Sequence, residues 1–378
     1  MAKVTRAPDH GKLRCRIDPA AYWVLIVGMA DDNTLNRQNI VACVWDFDKT
    51  LIPGYMQWPI FEHFGVDEKR FWKEVNDLPK HYRDNGQNVS PDILYLNHIL
   101  TYVRHGKFAG LNNAMLRQLG KKLRFYQGLP EFFQILKTLV SENPVYAKYE
   151  IRLEHYVIST GLSEMIRGSS IAPLVEQVYG CEFIENPMPP NYASQAEFEM
   201  TGPREISQIG SLVDNTIKTR FIFEINKGTN KIPSIDVNSR IAAEDRRVPM
   251  RNMIYIADGP SDVPVFSVIR KHGGKAYAVY EPKNEKEFAQ NDAMRANERV
   301  DHFGRADYRE KSDTYMWLTT HVNQICDRIV EECERALTYR IGRPPQHLHR
   351  DDPPVEKGEF QENLFDEDAL AGGNKGVE

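Results

Sequence analysis

Short apolar runs alternate with segments of helical periodicity along most of the chain. Four runs are continuously apolar, as expected of strands buried on both faces of a parallel sheet. They are VACVWD from Val41, HYVIS ending at Ser159, MIYIAD ending at Asp258, and KAYAVY at 275–280. Elsewhere, apolar residues recur three and four positions apart, which predicts helices at 129–140, 161–167, 218–227 and 314–338. The alternation predicts an α/β fold, a Rossmann-like open parallel sheet with helices on both faces, whose ligands bind beyond the carboxyl ends of the strands.

One long segment, residues 53–126, interrupts this alternation because it contains no strand-like run. Its apolar residues recur at helical spacing, most clearly at Ile93, Leu94, Leu96, Ile99, Leu100 and Val103. This spacing predicts an all-helical insertion that follows the first strand and therefore covers the catalytic edge of the sheet as a lid. Residues 185–217 are rich in Pro, Asn and Ser, which predicts loops and short strands.

The pattern divides the chain into four parts. We predict an N-terminal extension at 1–40, a core formed by 41–52 and 127–342, a helical cap at 53–126, and an acidic disordered tail at 343–378. The extension leaves three interpretations open: a secretory signal, a packing strand, or a translation start at Met29 instead of Met1.

Composition and charge narrow the class of protein. The chain has 378 residues, 41% of them hydrophobic and 27% charged, which is typical of globular proteins. Its net charge of −5 is concentrated in residues 351–378, so the remainder is nearly neutral and no nucleic-acid partner is expected. The longest apolar stretch, at 20–30, is too short to cross a membrane. Five scattered cysteines without a CxxC pair favour a reducing compartment, and we expect a cytoplasmic monomer or homodimer.

The candidate chemistry begins at the end of the first strand, with the sequence Asp46-Phe47-Asp48-Lys49-Thr50. In extended backbone, side chains two positions apart project to the same side, so Asp46 and Asp48 point together while Phe47 turns into the core. Two carboxylates at one strand end need a cation or a proton-transfer role to offset their charge. A DxDxT that stood alone would fit a turn or a helix cap equally well.

Three further polar groups accompany this motif. Ser159-Thr160-Gly161 follows the second apolar run, and Asp258-Gly259-Pro260-Ser261-Asp262 follows the third. Lys218 begins a predicted helix that ends at Gly228, a residue typical of helix C-caps. Because the carboxyl ends of parallel strands share one edge of the sheet, we expect these groups to meet there.

In this order and context the residues resemble the four motifs of the haloacid dehalogenase-like hydrolase superfamily: DFDKT, VIST, a lysine at a helix start, and ADGPSD. The resemblance covers about residues 41–338. The helical insertion looks like the C1-type cap of the phosphoserine phosphatase-like branch. Members with an acid at the position of Asp48 are usually phosphatases or phosphotransferases, so the resemblance disfavours dehalogenation.

The resemblance implies a Mg²⁺-dependent phosphatase that hydrolyses a small-molecule phosphate monoester through an aspartyl phosphate. Asp46 would be the nucleophile, and Asp48 would act first as the acid and then as the base. Asp46, the backbone carbonyl of Asp48, and Asp258 would bind Mg²⁺. Asp262 would act from outside this shell through water or Lys218, and Lys218 would also offset negative charge on the phosphoryl group.

Several neighbouring residues have competing interpretations. Ser159 is expected to hydrogen-bond a phosphate oxygen, and Thr160 is the alternative that could exchange roles with it. Thr50 either supports the substrate site or only caps the turn after the nucleophile. Lys227 is a second candidate for the motif lysine, but it lies at the end of the predicted helix, where the helix dipole alone favours a cation.

The resemblance assigns substrate selection to the cap. Tyr55, Gln57 and Trp58 lie where phosphoserine phosphatases carry a glutamate, and no acid occurs there before Glu62, so phosphoserine is disfavoured. These residues suit a larger, aromatic or quaternary-ammonium leaving group, the last through cation–π contact. The alternative is that Tyr55 and Trp58 only pack the cap onto the core. Two other functions stay open: a phosphotransferase with the same intermediate, and a non-enzymatic protein-binding module that keeps the fold.

Overall fold

The computed structural model describes residues 38–192, 204–232 and 234–340, with side chains as far as 337. The chain divides into two units, Met1–Glu334 and Arg335–Glu378. Of the second unit, only the end of the last helix is described. The tail predicted at 343–378 and nearly all of the extension predicted at 1–40 lie outside the described residues, so those two predictions stay predictions.

A seven-stranded sheet forms the centre of the first unit, in the order β4-β3-β2-β1-β5-β6-β7. Its strands are β1 (Ile40–Trp45), β2 (Arg152–Leu162), β3 (Gln177–Glu185), β4 (Ile206–Ser211), β5 (Met253–Ala257), β6 (Lys275–Tyr280) and β7 (His302–Arg305). All neighbouring pairs are parallel except β3 and β4, which are antiparallel. The predicted α/β fold class is therefore confirmed, with one antiparallel strand added at the edge.

Eleven α-helices are found among the described residues. They are α1 (Trp58–Phe64), α2 (Glu68–Asp84), α3 (Pro91–Arg104), α4 (Asn113–Gly120), α5 (Glu131–Ser141), α6 (Pro144–Lys148), α7 (Ser163–Gly168), α8 (Ile217–Lys227), α9 (Val263–Lys271), α10 (Glu285–Ala296) and α11 (Asp313–Arg340). The predicted helices near 129, 218 and 314 are present as α5, α8 and α11. Gly228 has the left-handed φ of 79° expected at the end of α8.

One strand boundary and one helix boundary differ from the prediction. The strand expected to end at Ser159 continues to Leu162, so α7 begins at Ser163 instead of 161. The sequence also did not reveal β3 and β7 as strands, whereas β4 lies in the 185–217 segment that was predicted to contain loops and short strands. β3 and β4 each mix buried with partly exposed positions, and β7 has only four residues, so none of the three is a continuous apolar run.

Two apolar layers cover the two faces of the sheet. All six residues of β1 are buried, as expected of the central strand between helical layers. Alternate residues of β1 belong to different layers, since Trp45 lies in one and Val44 in the other. The Trp45 ring stacks on Phe133 of α5 at 4.8 Å between centroids, and its Nε1 donates to His155 at 3.1 Å.

Helices α1 to α4 occupy the segment predicted as the cap. Five of the six apolar residues identified on the 93–103 stretch are buried in α3, and Ile93 is half-buried. The Asp67 carboxylate accepts N–H groups at the start of α2, and Asn112 does the same for α4. The division between a core and a cap domain stays a prediction. No helix within the described part of the chain combines the length and the apolar character that a membrane span requires.

Candidate active site

The candidate site lies beyond the carboxyl ends of three adjacent strands. Because the sheet order places β1 between β2 and β5, the positions of Asp46 after β1, Thr160 near the end of β2, and Asp258 after β5 meet at one edge of the sheet. A cavity of about 370 Å³ opens there, and its catalytic side is lined by Asp46, Asp48, Lys49, Thr160, Gly161, Lys218, Asp258 and Ser261. The four motif segments therefore converge, as the resemblance to the haloacid dehalogenase-like fold predicts.

Lys218 links two carboxylates of the site. Its Nζ lies 2.9 Å from Asp46 Oδ1 and 2.7 Å from Asp262 Oδ1, and its side chain is 1% exposed. Burial alone would lower the pKa of the Lys218 ammonium, but Asp262 and Asp46 outweigh burial and raise it. Asp214 positions this lysine because its carboxylate accepts the N–H groups of Thr216 and Ile217 at the start of α8.

Lys227, the competing lysine, lies away from this cavity. It borders a separate surface depression of about 810 Å³ that contains none of the motif residues predicted to act in catalysis. Its Nζ donates to the backbone carbonyls of Val237 and Ser239. The preference for Lys218 over Lys227 therefore agrees with the geometry.

Asp262 is fully buried behind the nucleophile position. Besides Lys218, it accepts hydrogen bonds from the Tyr255 hydroxyl at 2.5 Å and from Ser261 Oγ at 2.9 Å. Both oxygens of Asp262 are thus engaged, which suits the predicted indirect role through Lys218. The sequence did not single out Tyr255. It lies two residues before Ala257 on the buried strand β5, so the two side chains share one face of the sheet, and this alternation could have suggested it.

Three carboxylates of the site form a candidate metal group. Oxygens of Asp46, Asp258 and Asp262 all lie within 4.8 Å of one another. Burial, followed by neighbouring carboxylates, raises the pKa of Asp258 to about 8. Burial also raises the pKa of Asp46 to about 6, although Lys218 opposes it. An oxygen-only group with uncompensated negative charge is the donor set that a hard divalent cation prefers.

Asp48 stands apart from this group, and its carboxylate faces a different environment. Its Oδ1 accepts the backbone N–H of Met56 at 2.9 Å. Burial first, and the charge of Asp46 second, raise the pKa of Asp48 well above its usual range, so its protonated form is favoured. Phe47 is fully buried between the two acids and meets Phe125 edge to face, so its side chain turns into the core while Asp46 and Asp48 both line the cavity.

Thr160, not Ser159, lines the cavity. Ser159 is 1% exposed, and its Oγ accepts the N–H of Gly161 at 3.0 Å. A Cβ added to Gly161 would lie 2.2 Å from the terminal methyl of Met56, so the end of that side chain would have to shift. The assignment of the phosphate contact to Ser159 or Thr160 stays a prediction, and the geometry favours Thr160.

Thr50 does not have the capping role that the sequence left open. Its side chain is fully buried, and its Oγ1 has no hydrogen-bond partner among the described residues. Its backbone carbonyl accepts the hydroxyl of Tyr308 at 2.6 Å, which ties the turn after β1 to the segment after β7. Tyr308 gave no sequence signal because it lies outside the four motifs.

The side of the cavity that faces α2 and α3 differs from the predicted set. Tyr55 and Gln57 line it as expected, but Trp58 does not; it begins α1 and packs against the core layer. The sequence missed the remaining residues of this wall, which are Trp72, Val75, Asn76, Pro91, Asp92 and Tyr95. Helical periodicity places them on α2 and α3 without showing which helix face meets the cavity.

Comparisons with known proteins give one close relative and several distant structural similarities. The chain is 39% identical over 297 residues to an uncharacterised protein of Borreliella burgdorferi, an alignment that covers 77% of this chain and 98% of that protein. None of the protein-family models searched matches the chain.

Among solved structures, the chain is similar to a HAD family hydrolase from Salmonella enterica serovar Typhi, with a TM-score of 0.41, 12% identity and coverage of 76% of this chain and 77% of that one. It is also similar to a phosphoserine phosphatase in its apo form, with a TM-score of 0.40, 14% identity and coverage of 74% and 97%. Because both TM-scores lie below 0.5, these similarities support neither an activity nor a residue assignment for this chain.

Proposed function

We propose that this chain, which belongs to the same family as the uncharacterised Borreliella burgdorferi protein, is a cytoplasmic Mg²⁺-dependent phosphatase acting on a small phosphate monoester. The observation that carries the proposal is the placement of Asp46. It lies at the end of the central strand, lines the cavity, and is held by a buried ammonium within a group of three carboxylates. The thiols of Cys43, Cys181 and Cys326 are free, which agrees with a reducing compartment.

In the first step, an oxygen of Asp46 attacks phosphorus in line, and the bond from phosphorus to the ester oxygen breaks. The departing oxygen takes the proton of Asp48 and leaves as an alcohol. The raised pKa of Asp48 supports this role, because the acid must hold a proton near neutral pH. Lys218 keeps the Asp46 carboxylate oriented and offsets the charge that gathers on the phosphoryl oxygens.

In the second step, Asp48 is the base. It removes a proton from water, the hydroxyl oxygen attacks phosphorus, and the bond between phosphorus and Asp46 breaks. Inorganic phosphate is released, Asp46 is again a carboxylate, and Asp48 again carries its proton. Thr160, with Ser159 as the alternative, would donate a hydrogen bond to a phosphoryl oxygen.

The proposal includes Mg²⁺ because the donors at this edge suit a hard cation. Asp46, Asp258 and the backbone carbonyl of Asp48 would hold it, and Asp262 would stay engaged with Lys218. When bound, the ion would supply positive charge that offsets the surrounding carboxylates and the phosphoryl oxygens.

Measurement of phosphate release tests the proposal. We expect the wild-type protein to hydrolyse members of a panel of phosphate monoesters with Mg²⁺ and to stop when the metal is chelated. Asp46→Asn should lower hydrolysis by about 10³-fold or more. The matched control is Asp77→Asn, because Asp77 is an exposed acid of α2 that pairs with Lys73 outside the cavity.

Two outcomes would replace the proposal. If phosphate moves to an added alcohol faster than to water, the chain is a phosphotransferase that uses the same aspartyl phosphate. If no ester reacts, or if Asp46→Asn is as active as the wild type, the phosphatase assignment is wrong. The binding-module alternative would then be supported by capture of a protein partner by the folded chain.

A further inference from the structure

The wall of the cavity opposite the carboxylate group is aromatic. The rings of Tyr55 and Trp72 lie 5.7 Å apart between centroids, and those of Trp72 and Tyr95 lie 6.1 Å apart. All three residues line the cavity, and we call them the aromatic wall. The Tyr95 hydroxyl donates to the backbone carbonyl of Thr160 at 2.5 Å, so this ring is fixed relative to the catalytic edge.

The charges of the cavity lining favour a positively charged leaving group. Asp48 carries a proton in the proposed first step, so three ionised carboxylates line the cavity against two ammonium groups: Asp46, Asp92 and Asp258 against Lys49 and Lys218. One Mg²⁺ and one phosphate dianion would cancel each other and leave this negative excess in place. Lys49 is further offset by Glu287, whose carboxylate lies 3.6 Å from its Nζ.

Lys49 Nζ lies 5.4 Å from the centroid of the Tyr55 ring, so Tyr55 already faces a cation, whereas the polar side chains of Asp92 and Gln57 offer acceptor oxygens to a ligand. Asp92 is an exposed carboxylate at the start of α3. Gln57 is 3% exposed, and its Oε1 accepts no hydrogen bond from any described residue. The cavity volume of about 370 Å³ corresponds to about a dozen water molecules, which limits the ligand to a small molecule.

We propose that the substrate is a phosphate monoester of a small alcohol that bears a substituted ammonium group, held by Trp72 and Tyr95 with Asp92 nearby. The inference rests on the proposed function for the phosphate half of the molecule. Aromatic ring faces attract alkylated ammonium groups, and the nearby carboxylate adds to that attraction. A leaving group with a carboxylate or a second phosphate would meet Asp92 and the negative excess of the lining.

A pair of isosteric substrates tests the charge requirement directly. Phosphocholine and 3,3-dimethylbutyl phosphate have nearly the same shape, but only phosphocholine carries the positive charge. We expect kcat/KM for phosphocholine to exceed that for the neutral isostere by about 10-fold or more. Equal values, or a preference for the isostere or for an aryl phosphate, would overturn the inference.

Variants of the wall locate the origin of the preference. Trp72→Leu should lower the ratio of the two kcat/KM values by about 10-fold, mainly through KM for phosphocholine, and Trp72→Phe should retain more of it. Asp92→Asn should lower the ratio by about threefold. Because Asp92 is exposed, this variant should fold, so it tests the inference even if Trp72→Leu does not fold. Tyr82→Leu is the matched control, since Tyr82 is a half-buried aromatic residue of α2 outside the cavity. An unchanged ratio in folded Asp92→Asn and Trp72→Phe and Trp72→Leu would contradict the inference.

Binding to the Asp46→Asn variant separates this inference from the proposed function. Calorimetry with Mg²⁺ should give tighter binding of phosphocholine than of 3,3-dimethylbutyl phosphate without turnover. Tighter binding together with an inactive wild-type protein would support the aromatic wall and overturn the phosphatase. Hydrolysis of p-nitrophenyl phosphate by the wild type, with no preference between the isosteres, would support the phosphatase and overturn the inference.

Discussion

Strand β2 and its neighbours hold two clusters of buried charge that differ in their balance. In one, Glu154 accepts hydrogen bonds from Arg247 at 2.8 Å and from Tyr156 at 2.5 Å, so one carboxylate meets one guanidinium. Although burial opposes it, Arg247 lowers the pKa of Glu154. In the other cluster, the Lys218 ammonium is one cation for three carboxylates, those of Asp46, Asp258 and Asp262. The pKa values of Asp46 and Asp258 are raised.

This difference separates a structural cluster from a functional one. A carboxylate whose pKa is lowered by its partner is stable as an anion and needs no further cation to balance its charge. Carboxylates whose pKa values are raised by burial and by neighbouring carboxylates are held together at a cost in stability, which a cation or a proton can offset. We therefore expect the two clusters to respond in opposite ways when their cations are removed, when Mg²⁺ is added, and when the pH changes.

Among the changes to the two clusters, removal of Lys218 should have the largest effect, and the property affected should be activity. Lys218→Met leaves the three carboxylates without their ammonium and removes the group that offsets phosphoryl charge. We expect phosphate release to fall by about 10²- to 10³-fold. Arg247→Met is the matched control in the second cluster, and its kcat should stay near the wild-type value when the assay is run where the variant is folded. Comparable losses of kcat in both variants would contradict the distinction.

Removal of Arg247 should instead lower stability. Glu154 is only 8% exposed in the wild type and would lose its cation, so we expect the free energy of unfolding to fall by about 3 kcal/mol in a urea titration. Arg309→Met is the control, because Arg309 pairs with Asp307 at the surface and exposed pairs contribute about 0 to 1 kcal/mol. The structural interpretation of the Glu154 cluster fails if the two substitutions have the same effect.

Added Mg²⁺ should stabilise the protein, and more so at pH 8 than at pH 5. The pKa values of about 6 for Asp46 and about 8 for Asp258 are raised above those of an unfolded chain. The metal-free protein therefore loses stability as these groups ionise between about pH 4 and pH 8, and Mg²⁺ binds only the ionised form. Saturating Mg²⁺ should raise the melting temperature by several degrees at pH 8.

The control for the Mg²⁺ effect is Asp258→Asn, which removes one charged oxygen donor from the group. We expect this variant to gain little from Mg²⁺ at either pH, while Asp77→Asn should respond like the wild type. A rise in melting temperature that is as large at pH 5 as at pH 8, or as large in Asp258→Asn, would show that the ion binds elsewhere.

The catalytic side of the site could be predicted from the sequence because its residues follow continuous apolar strands. Asp46 and Asp258 come directly after β1 and β5, and sheet topology brings such positions to one edge whatever the loops do. Lys218 was also found, since a helix start and a Gly228 cap mark its position. The fold class could be predicted from the alternation of apolar runs with helical segments. The edge strands were not located in this way, because they mix buried and exposed residues.

The opposite wall could not be predicted, because it depends on how helices rotate about their axes. Trp58 and Trp72 are both half-buried aromatic residues at helical positions, yet only Trp72 lines the cavity. Apolar periodicity shows that a helix has a buried face, but it does not show whether that face meets the core or a cavity. Tyr55 and Gln57 were predicted because they follow the first motif closely, but Trp58 shows that closeness in sequence does not decide which side chain faces the cavity.

The smallest effect we expect is on stability in acid, and it arises from Glu154. Because Arg247 holds the pKa of Glu154 below its usual range, the stability from this pair is fully present above the ordinary glutamate pKa of about 4.3. It is lost as the pH falls through the lowered value in the folded protein. Glu154→Gln should therefore be less stable than the wild type at pH 6, and the difference should shrink by about 1 kcal/mol or less in urea titrations between pH 4.5 and pH 3. Glu62→Gln is the control, since Glu62 is an exposed partner of Lys122 and should show no such convergence. A difference between wild type and Glu154→Gln that stays constant over this range would mean that packing, not charge, holds Glu154 in place.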